Sequence, residues 1–206
     1  MMNTLTGTEI DAMDKLVRVQ LATTLPGIKP VSLIGTTDLS GHTNLAPFSS
    51  VVHIGSNPVL LGMVTRPDVV TRHTLANIIA TGSWTINHLT SAIIEQAHHC
   101  SARYPDEVSE FDASGLTPYF EEGVTAPFVR ESPFRLALAL EDLIDIPTNG
   151  TKLIVGRVTH VQLPQGMPAD DGSVDLAAIG LVASTALDTY FTITQHDRLP
   201  YAKPKA

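Results

Sequence analysis

Two short segments hold the residue types best suited to chemistry. The stretch Asn44, Leu45, Ala46, Pro47, Phe48, Ser49, Ser50 puts an asparagine, a proline and two adjacent hydroxyls between apolar runs. Further along, TRHTLANI at residues 71–78 reads as the opening of a helix. Backbone N–H groups in a first helical turn lack internal partners and form a ready anion site. Hydroxyls on a proline-stiffened loop beside such a terminus suit an oxidised ring that carries a phosphate tail.

Within this pair of segments, Thr74 falls in the first turn and Asn77 lies on the same helical face. Thr65 and Arg66 precede the helix, and Arg66 and Arg72 are placed to neutralise phosphate charge from either side. Taken singly, these residues have bland readings: strand-edge hydroxyls, solvated helix positions and exposed arginines. Their co-occurrence points to a flavin mononucleotide (FMN) site. Its phosphate needs several donors, its ring needs nearby backbone groups, and its N5 must stay open to a hydride donor.

The elements that position these segments read as mainly β. Residues 31–37, 59–65 and 84–89 are short runs rich in Val, Ile, Leu and Thr. Asp38-Leu39-Ser40-Gly41 and Ser56-Asn57-Pro58 supply turn chemistry between them. Thr71 is expected to cap a helix through Thr81, with Gly82 ending it in the left-handed conformation. Thr8 and Asp11 suggest a capping box for a helix through about Leu21, and Ser91 a cap for a helix over AIIEQAHHCSA.

Residues 104–132, with Pro105, Gly115, Pro118, Gly123 and Pro127, read as a loop. Alternation in SPFRLALALEDLIDI puts Phe134, Leu136, Leu138 and Leu140 on one strand face. In TKLIVGRVTHVQL, Leu153 and Val155 share a face until Gly156 and Arg157 break the pattern, as at a bulge or bend. An acidic loop, MPADDGSVD, then precedes residues 176–183 and a short strand around Thr189–Thr194. Strands outnumber helices without strand–helix alternation, so a closed or partly closed antiparallel barrel with helices outside is expected.

Bulk composition narrows the classes. The 206 residues suit one domain, and 43% hydrophobic with 17% charged residues excludes a disordered or highly charged chain. A formal net charge of −8 without a basic patch argues against nucleic acid and requires local donors for any anionic cofactor. No apolar run is long enough to span a membrane, and the N-terminus lacks a secretory signal pattern. The one cysteine, Cys100, fits a reducing cytoplasm.

His98, His99 and Cys100 are adjacent on a predicted helix and point about 100° apart, so they do not converge on a metal. A surface or core-edge role is expected for them. Glu110, Asp112, Asp170 and Asp171 read as solvated loop carboxylates. Gly-x-Ser-x-Gly, GxxxxGK and GxGxxG elements do not occur in the chain. No catalytic triad is assigned; the residues that seat the cofactor are the site.

Four blocks, NLAPFSS, TRHTLANIIATGSWTIN, SARYPDEVSEFDASGLTP and LDTYFTITQHDRLPYAKP, together resemble the flavin reductase-like family of FMN-binding split barrels, from about Pro30 to Pro204. The resemblance implies one antiparallel Greek-key split-barrel domain over residues 1–206 with flanking helices. It also implies a homodimer with a flavin near the subunit interface in each subunit. The segment Asn44–Ser50 would contact the ring and ribityl chain. Thr65, Arg66 and Arg72 to Asn77 would hold the phosphate end, and Tyr201 to Lys203 would lie close to the flavin.

Two departures stand out. Arg72-His73 replaces the family's frequent lysine-aspartate, and LVASTALDTY lacks an arginine-glycine-glycine element before Tyr190. The implied activity is hydride transfer from NAD(P)H to FMN, with FAD admissible in an open groove. Electrons would pass onward to free flavin for a partner monooxygenase, an iron complex or an organic substrate. The alternatives are a flavin-binding electron carrier or sensor without nicotinamide activity, and a barrel that exchanged flavin for haem or lost its cofactor.

Overall fold

The computed structural model describes residues 2–67 and 72–204. Its dominant element is a seven-stranded antiparallel sheet in the order β3-β2-β6-β9-β10-β5-β4. The strands are β2 (Ser32–Thr37), β3 (Thr43–Phe48), β4 (Val51–Ser56), β5 (Val59–Thr65), β6 (Ser83–His88), β9 (Arg135–Ile146) and β10 (Thr151–Gln162). The two outermost strands, β3 and β4, are consecutive and joined only by Ser49 and Ser50. A flat seven-stranded sheet is about 29 Å wide, whereas the link from Phe48 to Val51 reaches only about 11 Å. The sheet therefore curls enough to bring the end of β3 near the start of β4.

Smaller pieces pack around it. Strands β1 (Lys29–Pro30), β11 (Val182–Thr185) and β12 (Thr189–Thr192) form a second sheet, and β7 (Pro118–Tyr119) pairs with β8 (Phe128–Val129). Helix α3 (His73–Thr81) packs on β2, β3 and β6, while α4 (Ile94–His99) and α5 (Glu110–Ser114) lie over β3. One core cluster joins Ile34, Met63, Trp84, Ile86, Leu138 and Ile154 to Leu75 and Ile78 of α3. A second joins Leu33 and Leu45 on the opposite sheet face to Ala97, Cys100 and Phe111.

Several expectations need correction. The N-terminal helix is two helices, α1 (Gly7–Asp11) and α2 (Lys15–Thr24). The capping box is formed by Thr6 and Glu9, not Thr8 and Asp11. Asp14 separates the helices because its carboxylate accepts from Leu16 and Val17 N–H groups at the start of α2. NLAPFSS is not a loop: Asn44 to Phe48 belong to β3, where Pro47 is tolerated because β3 is an edge strand. The supposed loop 104–132 contains α5, β7 and β8. Ser91 opens a short 3₁₀ turn, Ser91–Ile93, whose cap position is Thr90, so α4 is shorter than expected.

The break at Gly156 is a bulge, as read from sequence. Between Val155 and Gly156 the register against β9 skips Glu141. The indole of Trp84 packs directly on the Gly156 backbone, where a Cβ would overlap its ring. Across β2 and β6, Ser32 Oγ lies 3.1 Å from His88 Nδ1, and the His88 ring stacks on Phe134 at 4.6 Å. Burial depresses the His88 pKa from 6.5 to about 4, so the folded chain holds it neutral.

Two stability outcomes follow from these contacts. Gly156→Ala should lower stability by about 1–3 kcal/mol through overpacking against Trp84, seen as a lower denaturation midpoint. Because unfolding raises the His88 pKa, the unfolded chain binds the extra proton between pH 6.5 and about 4. Stability should therefore be full above pH 6.5 and fall by up to about 3 kcal/mol as pH drops through that window. His88→Phe should flatten that part of the profile, measured by denaturant titration at a series of pH values.

Candidate functional site

Thr36, at the end of β2, is the fixed point of the site. Its hydroxyl is fully buried and accepts Nδ2 of Asn44 at 3.2 Å and Nδ2 of Asn77 at 3.1 Å. Asn44 Nδ2 also lies 3.1 Å from Thr74 Oγ1. Asn44 stands opposite Thr36 in the β2–β3 register, so both side chains share one sheet face. Thr74 and Asn77 share a face of α3, and both are buried rather than solvated. The network clamps the first turn of α3 against the sheet. Thr36 escaped the sequence reading because it looks like an ordinary strand threonine.

The start of α3 carries no side-chain cap bond. Arg72 occupies the N-cap position and makes no side-chain cap bond, and the expected cap, Thr71, lies outside the described residues. Gly82 ends the helix at φ +67°, as expected. Two buried donors, Arg72 Nε and Thr65 Oγ1, have no hydrogen-bond partner among the described residues. Buried donors without partners are unusual and destabilising unless something absent from the chain satisfies them. Beside Thr65, Ser50 donates to the Val64 carbonyl at 2.8 Å. Ser49 is half-buried in the β3–β4 link, and Arg66 is exposed just beyond β5.

The remaining predicted residues fall in two places. Leu45, Ala46 and Pro47 pair with Gly35, Ile34 and Leu33 of β2. The Leu45 N–H is held by Glu110 at 2.9 Å, and Thr43 and Ser109 hydroxyls meet at 2.7 Å. Glu110 is thus a brace between α5 and the edge strand, not a solvated loop carboxylate. Tyr201 and Lys203 are exposed in a C-terminal segment without regular structure, and the structure does not bring them to the Thr36 network. Cys100 is in the core, its thiol pushed up to about 11 by burial, and His98 Nδ1 contacts Tyr190 Oη at 3.2 Å.

Beside α3 lies a cleft of about 200 Å³ whose lining includes Asp38, Asn44, His73, Asn77, Asp106 and Glu110, so two of the predicted cofactor residues face it. Ligand pockets usually occupy about 300–1,000 Å³, so this cleft is small for a flavin, and its carboxylates oppose a phosphate. His73, which stands where the family often has an acid, reaches Asp106 at 3.4 Å. A carboxylate distant in sequence takes up the place near the helix start.

A split-barrel-domain protein from Shewanella frigidimarina, described as a candidate flavin reductase, is 42% identical with a TM-score of 0.93, over 97% of this chain and 100% of that one. Nitrilotriacetate monooxygenase component B from Bacillus cereus shares the fold at 20% identity and a TM-score of 0.85, over 97% and 99% of the two chains. An uncharacterised protein of Halalkalibacterium halodurans is 28% identical over 179 residues, 84% of each chain. The family model described as Flavin reductase like domain matches residues 28–177, and the chain belongs to that family.

Proposed function

We propose that this chain is an FMN-binding oxidoreductase that draws hydride from NADH or NADPH and delivers electrons to a separate acceptor. The observation that carries the reading is two buried donors without a partner among the described residues, Arg72 Nε at the N-cap of α3 and Thr65 Oγ1 at the end of β5. Those donors and the first amides of α3 would hold the phosphate, with Arg66 adding charge at the rim. Ser49, Ser50 and the edge-strand backbone of Asn44 to Pro47 would seat the ribityl chain and ring, since one side of an edge strand keeps free polar groups. Tyr201 and Lys203 would approach the ring from the C-terminal segment.

When bound, the flavin supplies the hydride and electron chemistry; the chain's role is to seat it and leave one ring face open. FAD would fit the same phosphate donors if the groove stays open at the far end. The Bacillus cereus protein is by name a component of a monooxygenase, which supports a partner monooxygenase as the acceptor. The free, buried Cys100 supports a reducing compartment such as the cytoplasm.

The working form proposed is a homodimer built on a Greek-key split barrel. Strand register places Val52 opposite Gly62, Val64 opposite Leu153 and Leu153 opposite Ile144, so these side chains share one outer face. On it Val52, Ile54, Val64 and Ile144 are 49%, 43%, 36% and 45% exposed. Such a contiguous apolar face supports burial against a second copy.

With added FMN and NADH or NADPH, the purified protein should oxidise the nicotinamide; no turnover with either donor sinks the proposal. Flavin that binds but is reduced only by dithionite would identify an electron carrier instead. Thr65→Val and Arg72→Gln should each weaken FMN by about 1.5–3 kcal/mol, roughly ten- to hundred-fold in Kd. Thr65→Val should at the same time leave the flavin-free fold as stable or more so, since it removes an orphaned hydroxyl. Ile54→Glu should shift the protein to monomer in analytical ultracentrifugation while its far-ultraviolet circular dichroism is kept.

A further inference from the structure

The two asparagines held by Thr36 each have a second polar atom. Asn44 and Asn77 are only 6% and 8% exposed, and each turns its Nδ2 group onto the Thr36 hydroxyl. The carbonyl oxygen of a planar amide diverges from its nitrogen, so Oδ1 of each side chain is directed away from Thr36. Neither oxygen has a hydrogen-bond partner among the described residues. Both side chains line the cleft of about 200 Å³ beside α3.

Two carboxylates of the same cleft are only half used. Asp38 Oδ1 takes the Ser40 N–H at 2.8 Å, the Ser40 hydroxyl at 2.7 Å and the His42 N–H at 2.9 Å. Glu110 Oε2 takes the Leu45 N–H at 2.9 Å. Asp38 Oδ2 and Glu110 Oε1 receive no donor from the described residues. The Ser40 hydroxyl, and after it the His42 N–H, hold the Asp38 carboxyl below the usual carboxylate range, so it stays charged. Asp106 adds a third carboxylate, 3.4 Å from His73. His42 and His73 offer ring nitrogens that donate or accept, and no Lys or Arg is among the lining residues. The cleft thus holds an excess of acceptors, contributed by buried amides as well as by carboxylates.

We propose that this cleft binds the ammonium group of a small organic amine. An ammonium carries three N–H donors and no acceptor, the complement of the free oxygens of Asp38, Asn44, Asn77 and Glu110. Its bonds to carboxylates are charge-assisted and about twice as strong as neutral ones. A metal ion is a poorer match, since no group of three or more His, Cys, Asp or Glu among the described residues is arranged to hold one. At about 200 Å³ the cleft is below the usual range for drug-sized ligands, about 300–1,000 Å³, which selects a short aliphatic amine over a nucleotide. The site needs no flavin and goes beyond the oxidoreductase reading.

The test is titration of the flavin-free protein with the hydrochloride of 1,4-diaminobutane at constant ionic strength, by calorimetry and by NMR of the side-chain amides. Saturable binding is expected, with resonance shifts centred on Asn44, Asn77 and residues 38–42 and 106–110. Glu110→Gln keeps an acceptor for Leu45 but removes the charge, and should raise the Kd about ten-fold. Asp106→Asn, at an exposed position, should raise it about two- to five-fold. The uncharged 1,4-butanediol should not bind. Absence of saturable diamine binding overturns the proposal, as does equal affinity in the double variant Glu110→Gln with Asp106→Asn. Inorganic phosphate shifting the two amides in place of the diamine would show an anion site and also overturn it. Failure of FMN to bind leaves this inference standing, so its fate and that of the flavin reading are read separately.

Discussion

The site depends on a single buried hydroxyl. Thr36 Oγ1 accepts two asparagine amides, one from β3 and one from α3, and in doing so it fixes where the helix starts relative to the sheet. Hydrogen bonds of this kind contribute only about 1 kcal/mol each in net terms, but leaving Asn44 or Asn77 unsatisfied in the same surroundings costs about 1–3 kcal/mol. The arrangement is therefore close to all-or-none. A helix turned by one residue would take Asn77 away from Thr36 and Thr74 away from Asn44. The apolar face of α3, with Leu75 and Ile78 in the core, enforces the same rotation from the other side. Packing and polar satisfaction thus agree on one placement.

That placement resolves an electrostatic difficulty. A chain with net charge −8 repels an anion at long range, and three carboxylates line the small cleft on one flank of α3. Exposed charges are screened within about 8–10 Å at ordinary ionic strength, so the local donors decide. Thr65 Oγ1 and Arg72 Nε are buried donors without a partner among the described residues, and Arg72 holds the N-cap of α3. On the cleft side, Asp106 faces His73 and Glu110 is committed to the Leu45 amide.

Much of this was legible in the sequence where it depended on local pattern. Strand β5 falls on residues 59–65 as read, Gly82 closes α3 in the left-handed conformation, and the Gly156 break is a bulge. Thr74 and Asn77 were chosen for sharing a helical face, and they do. What failed was whatever depended on contacts distant along the chain. Asn77 meets Thr36 across a separation of 41 residues, and Leu45 meets Glu110 across 65. No window on the sequence contains both partners. Proline and serine density made Asn44–Ser50 look like a loop, because the turn signal of Pro47 outweighed an edge-strand position visible only in the sheet order. The same error hid α5, β7 and β8 inside a stretch rich in proline and glycine.

The departure at LVASTALDTY has a backbone explanation. Ala186 and Leu187 sit at φ 53° and 63°, the left-handed region that glycine adopts freely. The turn between β11 and β12 thus takes a conformation that glycine favours and fills it with side chains. Each such residue costs about 1–3 kcal/mol, so the surroundings must hold the turn. They do so by packing: Leu187 and Tyr190 lie against the core cluster that contains Val182 and Cys100. Tyr190 also contacts His98 and donates to the Leu187 carbonyl at 3.4 Å.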